Sequence, residues 1–175
     1  GHRFALHVLS DSTSSVQVAV EQHLVSKAWP LPVVHHHRTQ NIDFKSGNIR
    51  DWITRYGADY DAFIILDADS EMDHHTVNML VDALACAPTC GLIQTVPVVL
   101  PGTTRWQHMQ SVASEYYGSL QGKGFAAWMG DEANYLGHNV IVRTQAFAAC
   151  AGLPFHEGRG FLNGTILSND FVEAA

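Results

Sequence analysis

The feature that most constrains the fold is a run of five apolar residues at positions 62–66, which stops abruptly at Asp67-Ala68-Asp69-Ser70. The run is short, uninterrupted and rich in β-branched residues, which is typical of a central strand in a parallel sheet. A segment with helical periodicity follows at about residues 73–85 and is predicted to bury Val77, Leu80, Val81 and Leu84. A strand followed by a helix predicts an α/β fold in which both aspartates stand at the carboxyl end of a buried strand.

The same alternation of strand-like and helix-like segments continues along the chain. Apolar runs predict further strands at residues 4–9, 33–38, 92–95 and 139–143. Periodicity and capping residues predict helices from about residue 14, at 49–56, at 104–120, at 144–150 and from residue 168. Lys45-Ser46-Gly47-Asn48 is predicted as a turn, and Gly122-Lys123-Gly124 as the end of the long helix. The spacing of Trp106, Met109 and Tyr116 predicts that they face the core. The expected fold is a mostly parallel sheet flanked by helices.

Composition narrows the class of protein. The 175 residues carry 10 Lys and Arg against 17 Asp and Glu, and 46% of them are hydrophobic. Such a chain can build one globular domain, residues 1–175, with a sizeable core. The acidic balance argues against a dedicated nucleic-acid-binding protein, and no apolar run is long enough to span a membrane. The chain begins in an apolar run and stops inside a predicted helix, so we expect a piece, truncated at both ends, of a longer protein.

Asp67 and Asp69 form the strongest candidate site. Ligands of α/β proteins bind at the carboxyl ends of strands, and two carboxylates one residue apart at such an end can share a divalent cation. Hard oxygen ligands suit Mg²⁺ or Mn²⁺, which in turn suit a diphosphate. The alternative is a pair of acidic residues in an ordinary loop, one of which caps the following helix.

Three more polar groups stand at places where ligands could bind. Asp11 ends the first strand and is either a ligand or a turn-forming residue. Lys45 can place a cation beside a phosphate, or it can be a solvated lysine. Asp170 stands where a helix begins, and its position alone favours a helix cap. The histidines at 35–37 and 74–75 are predicted to lie at the surface, and those at 35–37 alternate between the faces of a strand, so the three cannot form one metal site.

Four motifs of the chain occur in a characteristic order. They are the strand ending at Asp11, Lys45-Ser46-Gly47-Asn48, Leu66-Asp67-Ala68-Asp69-Ser70 and Ser168-Asn169-Asp170. This order resembles that of the processive family 2 glycosyltransferases with a GT-A fold. More narrowly, residues 137–143 (Gly-His-Asn-Val-Ile-Val-Arg) and 166–175 resemble the glucans biosynthesis glucosyltransferase H family. Members of that family are bacterial inner-membrane enzymes, with the catalytic domain facing the cytoplasm, that build the β-1,2-linked glucose backbone of osmoregulated periplasmic glucans.

The resemblance implies an activity. The protein would transfer glucose from a UDP-glucose donor to a glucan acceptor with inversion at the anomeric carbon. Asp67 and Asp69 would grip the diphosphate through Mg²⁺ or Mn²⁺, which stabilises the leaving group. Asp170 would be the general base that takes the proton from the attacking hydroxyl.

The resemblance also implies roles for four residues that would bind the donor or the acceptor. Asp11 would contact the uridine part of the UDP-sugar. Lys45 would lie along the nucleotide pocket. His138 and Asn139 would lie near the donor sugar or the acceptor.

The chain departs from the family pattern in several places. A Pro-x-Tyr-Asn-Glu-like strand that helps hold the nucleotide, a Gln-x-x-Arg-Trp-like segment that helps hold the acceptor, and the flanking transmembrane helices do not occur in residues 1–175. Ser168-Asn169-Asp170 also lacks the middle acid of the family's Thr-Glu-Asp-like motif. We therefore expect these 175 residues alone to be catalytically weak or inactive.

Two other classes of protein are the alternatives. Haloacid-dehalogenase-type phosphatases also follow a strand with Asp-x-Asp, but they need Thr or Val two places after the second Asp, where this chain has Glu71. They also carry the motif near the start of the chain. A non-catalytic α/β module that binds a nucleotide or another protein is the second alternative.

Overall fold

The computed structural model describes residues 3–130, 135–150, 155–156 and 164–165. The described residues form two compact units, one of residues 3–60 with 155–156 and 164–165, and one of residues 61–130 and 135–150. Both units combine helices with strands, so the predicted mixture of α and β structure is confirmed. The GT-A-like arrangement and the single domain over residues 1–175 stay predictions.

The first unit is built on a parallel strand–helix–strand motif. β1 (Leu6–Ser10) and β2 (Val33–His37) pair from Leu6 opposite Val33 to Ser10 opposite His37, and α1 (Ser15–Val25) connects them. α2 (Phe44–Tyr56) buries Ile49 and Trp52, which are each 5% exposed. A 3-10 turn (Gly57–Asp59) follows α2 directly, and Gly57 is the C-terminal cap of the helix.

The second unit is built on three strands paired in antiparallel. Its elements in chain order are β3 (Ala62–Ile65), α3 (His74–Cys86), β4 (Leu92–Gln94), α4 (Arg105–Met129), β5 (Val140–Arg143) and α5 (Thr144–Cys150). The core of this unit is the cluster of Leu80 and Leu84 from α3 with Ile141 from β5, and the burial predicted for both leucines is confirmed.

Two short strands of the first unit, β6 (Phe155–His156) and β7 (Gly164–Thr165), form a separate antiparallel pair.

The pairing of the strands corrects the predicted sheet. In the described residues only β1 and β2 pair in parallel, so the sheets are not mostly parallel. Within its unit, β3 lies at one edge, and β5 lies between β3 and β4, antiparallel to both. Val140, Ile141 and Val142 of β5 are at most 4% exposed. The apolar runs of β3 and β5 look alike in the sequence, and only the pairing shows which of them is central.

Two helices differ from their predicted bounds. α2 begins at Phe44, so Lys45-Ser46-Gly47-Asn48 forms its first turn and not a separate turn. α4 runs through Gly122 and Gly124 to Met129. A glycine inside a helix costs only about 1 kcal/mol and does not by itself end it. A side chain at Gly122 would collide with Val96, so this glycine lets the helix lie close to the segment after β4.

The apolar stripe of α4 faces away from the core, which contradicts its predicted burial. Trp106, Met109 and Tyr116 are 62%, 57% and 75% exposed. The opposite face of the helix carries small polar residues. Ser111 is buried there, and the Ser114 hydroxyl accepts a hydrogen bond from the backbone N–H of Val99 at 3.1 Å. Across the part of the chain that is described, no helix combines the length and the apolar character that a membrane crossing needs.

Candidate functional site

Asp11 forms an ion pair that sequence reasoning missed. The Arg38 guanidinium donates from Nε to Asp11 Oδ1 at 2.7 Å and from Nη2 to Oδ2 at 2.8 Å, with the two side chains 12% and 18% exposed. These hydrogen bonds to Asp11 raise the pKa of Arg38 above its ordinary value. Ser10 lies opposite His37 in the parallel pair. Asp11 and Arg38, the residues that directly follow these two, therefore also lie opposite each other. Strand register is the signal that finds this pair.

Arg38 also holds the loop that leads into α2. Its Nη1 and Nη2 groups donate to the backbone carbonyl oxygens of Ile42 at 3.1 Å and Phe44 at 3.0 Å. The loop needs this support because Asp43 and Phe44 both have positive φ, 57° and 50°, which is costly for residues with side chains. Arg50 adds an ion pair to Asp43 at 2.6 Å. One guanidinium therefore connects Asp11 to the start of α2.

Lys45 lies in the first turn of α2, exposed to solvent, beside three buried residues. A side chain at Gly47 would collide with the carbonyl oxygen of Ile42, so only glycine fits there. Asn48 is 5% exposed, and its Oδ1 atom has no hydrogen-bond partner among the described residues. The unit therefore holds Asp11, Lys45 and Asn48 on a framework tied together by Arg38.

The three consecutive histidines of β2 have different partners. His35 Nε2 lies 3.1 Å from Glu21 Oε2, His36 Nε2 lies 2.7 Å from Asp51 Oδ2, and His37 Nε2 donates to the Ser12 carbonyl oxygen at 2.8 Å. The rings of His35 and His37 stack on one face, which agrees with the predicted alternation. His36 points to the other face and is 7% exposed, so its predicted surface position was wrong. Its ring contacts two side chains of α2, Asp51 by a hydrogen bond and Tyr56 by an edge-on ring contact.

Asp67 and Asp69 stand directly after β3, as predicted. The backbone N–H of Ser70 donates to the Asp67 carbonyl oxygen at 3.0 Å, which closes the turn that carries both carboxylates. Asp67 is half-buried and Asp69 is exposed. Their carboxylate oxygens have the donor chemistry that Mg²⁺ and Mn²⁺ prefer. Among the described residues, no group of three or more His, Cys, Asp or Glu side chains could hold a metal ion, so a cation here needs ligands beyond this pair.

The loop that carries His138 and Asn139 lies beside the end of β3. The backbone N–H of Asn139 donates to the carbonyl oxygen of Ile65 at 2.8 Å, two residues before Asp67. Gly137 and Asn139 have positive φ, 79° and 54°, so the loop bends sharply. His138 Nδ1 and Asn139 Oδ1 are buried without a hydrogen-bond partner in the described part of the chain. Such atoms are costly unless a ligand or water satisfies them.

Sequence reasoning also missed the residue that holds this loop. The Gln94 side-chain NH2 group donates to the carbonyl oxygens of Thr95, His138 and Asn139 at 2.9, 3.0 and 3.2 Å. Gln94 Oε1 accepts from the backbone N–H of Leu136 at 3.1 Å. Thr95 adds a hydroxyl donor to the Asn139 carbonyl oxygen at 2.6 Å. Gln94 ends β4 beside β5, and no motif distinguishes it from an ordinary strand residue.

The remaining predicted residue, Asp170, lies outside the described residues, and so do Ser168 and Asn169. Its role as the general base stays a prediction. The described residues contain the other predicted site residues, in two groups. Asp11 and Lys45 belong to the first unit, and Asp67, Asp69, His138 and Asn139 belong to the second.

Comparison with known proteins identifies relatives along the whole chain. No family model matches it. Curated proteins named Glucans biosynthesis glucosyltransferase H are 45% identical in Rhodopseudomonas palustris (strain BisA53), 44% identical in Bradyrhizobium diazoefficiens and 42% identical in Vibrio cholerae. Each match covers 100% of this chain and 24–25% of the relative. The chain therefore belongs, as a segment spanning about a quarter of its relatives' length, to the glucans biosynthesis glucosyltransferase H family.

Proposed function

We propose that this chain carries the donor-binding part of a glucosyltransferase in glucan biosynthesis. The full activity is the transfer of glucose from UDP-glucose to a growing β-glucan, the backbone of osmoregulated periplasmic glucans, with inversion at the anomeric carbon. The observation that carries the proposal is the loop of His138 and Asn139, which hydrogen-bonds to β3 two residues before Asp67 and buries two polar atoms without a described partner. The name of the relatives supplies the class of reaction.

In this proposal Asp67 and Asp69 hold Mg²⁺ or Mn²⁺ together with the diphosphate of the donor. The turn after β3 carries both carboxylates, and the diphosphate and water supply the ligands that the described residues lack. The bound cation offsets the negative charge that develops on the leaving diphosphate. Asp170 takes the proton from the attacking acceptor hydroxyl.

Asp11 and Lys45 bind the nucleotide part of the donor. The hydrogen bonds from Arg38 fix the orientation of the Asp11 carboxylate, so its oxygens need little reordering when a ligand arrives. Lys45, exposed in the first turn of α2, can place its ammonium group near a phosphate. The setting proposed for the longer protein is a bacterial inner membrane, with this part facing the cytoplasm, and it rests on the resemblance alone.

Calorimetry with UDP tests the proposal. We expect binding that requires Mn²⁺ or Mg²⁺ and that weakens at least about tenfold in Asp69→Asn, because the variant removes a charged metal ligand. Glu115→Gln is the matched control, since it removes one exposed carboxylate from α4 in the same unit and is expected to bind as the wild type does. Metal-independent binding, or equal affinity in Asp69→Asn, contradicts the metal site. The lack of any UDP binding favours a structural module instead.

A further inference from the structure

The loop of residues 136–139 bends sharply and is held by hydrogen bonds from neighbouring strands. Gly137 and Asn139 have φ values of 79° and 54°, and glycine and asparagine are residues that adopt positive φ at little cost. The carbonyl oxygen of Asn139 accepts hydrogen bonds from Gln94 Nε2, from the Thr95 backbone N–H at 3.2 Å and from the Thr95 hydroxyl. The end of β4 therefore fixes the loop from one side and β3 fixes it from the other.

We propose that Gln94 is a positioning residue for this site: its side-chain amide holds the loop so that His138 and Asn139 stay oriented toward the sugar of the donor. The proposal rests on the proposed function, because it assigns these two residues to the bound substrate. The side chain of Gln94 makes four hydrogen bonds to backbone atoms of the described residues, so it acts through the loop and does not need to touch substrate.

The chemistry of the contacts explains why this residue is glutamine. Two amide hydrogens are shared among three carbonyl oxygens, while the side-chain oxygen accepts one backbone N–H. Only an amide offers donors and an acceptor on one planar group. A glutamate would keep the acceptor for Leu136 but bring a carboxylate against three carbonyl oxygens. A methionine has a similar length and no donor.

The anchoring also explains how two unsatisfied polar atoms can persist in the ligand-free chain. Left to itself, the loop would relax until His138 Nδ1 and Asn139 Oδ1 found water or backbone partners, because an unpaired buried polar atom costs more than a typical hydrogen bond contributes. The hydrogen bonds to the carbonyl oxygens of these same two residues oppose that relaxation. Gln94 therefore holds the two buried side-chain atoms in place.

A double-mutant cycle on UDP-glucose affinity in the presence of Mn²⁺ tests this role. We expect Gln94→Met and Gln94→Glu each to weaken binding about tenfold, and Gln145→Glu, at an exposed position of α5 in the same unit, to leave it unchanged. The cycle then repeats Gln94→Met in a chain carrying His138→Ala and Asn139→Ala. Because Gln94 acts through these residues, the second loss is expected to fall below about twofold.

The outcomes separate this inference from the proposed function. If Gln94→Met weakens binding by the same factor in both backgrounds, its effect is one of general stability and the inference is wrong, while the proposed function stands. Wild-type affinity in both Gln94 variants overturns the inference in the same way. If the wild-type chain binds no UDP with either metal, the proposed function fails and the inference falls with it.

Discussion

Arg38 in the first unit and Gln94 in the second solve the same problem with different chemistry. Each side chain donates to backbone carbonyl oxygens of a segment with positive φ: Arg38 holds the loop that leads to Lys45, and Gln94 holds the loop that carries His138 and Asn139. Arg38 also binds the Asp11 carboxylate, whereas the side-chain hydrogen bonds of Gln94 are to neutral backbone groups. The Asp11 group is therefore held by an ion pair, whereas the His138 group is held by hydrogen bonds between neutral groups. The two groups should therefore respond differently to substitution.

The largest expected effect is the loss of the charged contact. Arg38→Ala leaves the Asp11 carboxylate, 18% exposed, without its guanidinium, and we expect a loss of about 3 kcal/mol of unfolding free energy in the first unit. Gln94→Ala removes neutral hydrogen bonds and is expected to cost the second unit about 1–2 kcal/mol. Amide hydrogen exchange resolves the two units separately. Equal losses of unfolding free energy in the two variants would contradict the claim that the ion pair contributes more than the neutral hydrogen bonds.

A pair of glycines sharpens the comparison at the level of packing. Gly47→Ala in α2 drives a methyl group into the Ile42 carbonyl oxygen, next to the loop that Arg38 holds, and should cost about 2 kcal/mol. Gly124→Ala in α4 meets no atom within 4 Å and should instead stabilise its unit by about 0.5–1 kcal/mol. Urea denaturation measures both changes. A neutral Gly47→Ala variant would show that the start of α2 is looser than described.

The smallest expected effect is a dependence on pH in the first unit. Burial, and then the neighbouring charge of His36, lower the pKa of His7 below its ordinary 6.5. His7 also hydrogen-bonds to the Tyr60 hydroxyl at 2.9 Å and packs against the Trp52 ring. The unfolded chain takes up a proton at a higher pH than the folded one, so this stabilisation is complete above pH 6.5 and is lost as the pH falls below it.

Hydrogen exchange of the first unit at pH 7 and at pH 5.5 measures the loss. The fall in protection is expected to be smaller in His7→Asn, which removes the titrating ring. If His7→Asn loses as much protection as the wild type over this range, other groups account for the pH dependence.

Local signals in the sequence predicted the elements well. Thr104 and Gln107 form a capping box at the start of α4, and the Asp73 side chain caps α3 by accepting from the Thr76 N–H, so both helices begin where they were expected. Periodicity also identified the apolar face of α4, but it cannot say which face turns inward. Ser111 and Gly122 face the rest of the unit because small residues allow close approach, and the periodicity of the helix does not show which segment, here the one around Val96, packs against it.

The candidate site was predictable only where its residues follow a strand in the sequence. Asp11, Asp67 and Asp69 are found in this way because the carboxyl end of a strand is a local feature. Arg38 and Gln94 are separated by 27 and 45 residues from Asp11 and Asn139, and only the register of the strands brings each pair together. No single segment of the sequence determines the order of the strands in a sheet. For the same reason the sequence did not predict that β5 is the central strand.

The position of a bound metal ion tests the proposed metal site at Asp67 and Asp69 most directly. Mn²⁺ broadens the NMR signals of nuclei close to it, so adding Mn²⁺ and UDP to the ¹⁵N-labelled chain maps the site. If Asp67 and Asp69 hold the metal, we expect the backbone amide signals of Asp67, Asp69 and residues 137–139 to broaden. We expect Asp69→Asn to abolish this broadening. Unchanged signals at these residues, with broadening at the histidines of β2 instead, would contradict the proposed metal site.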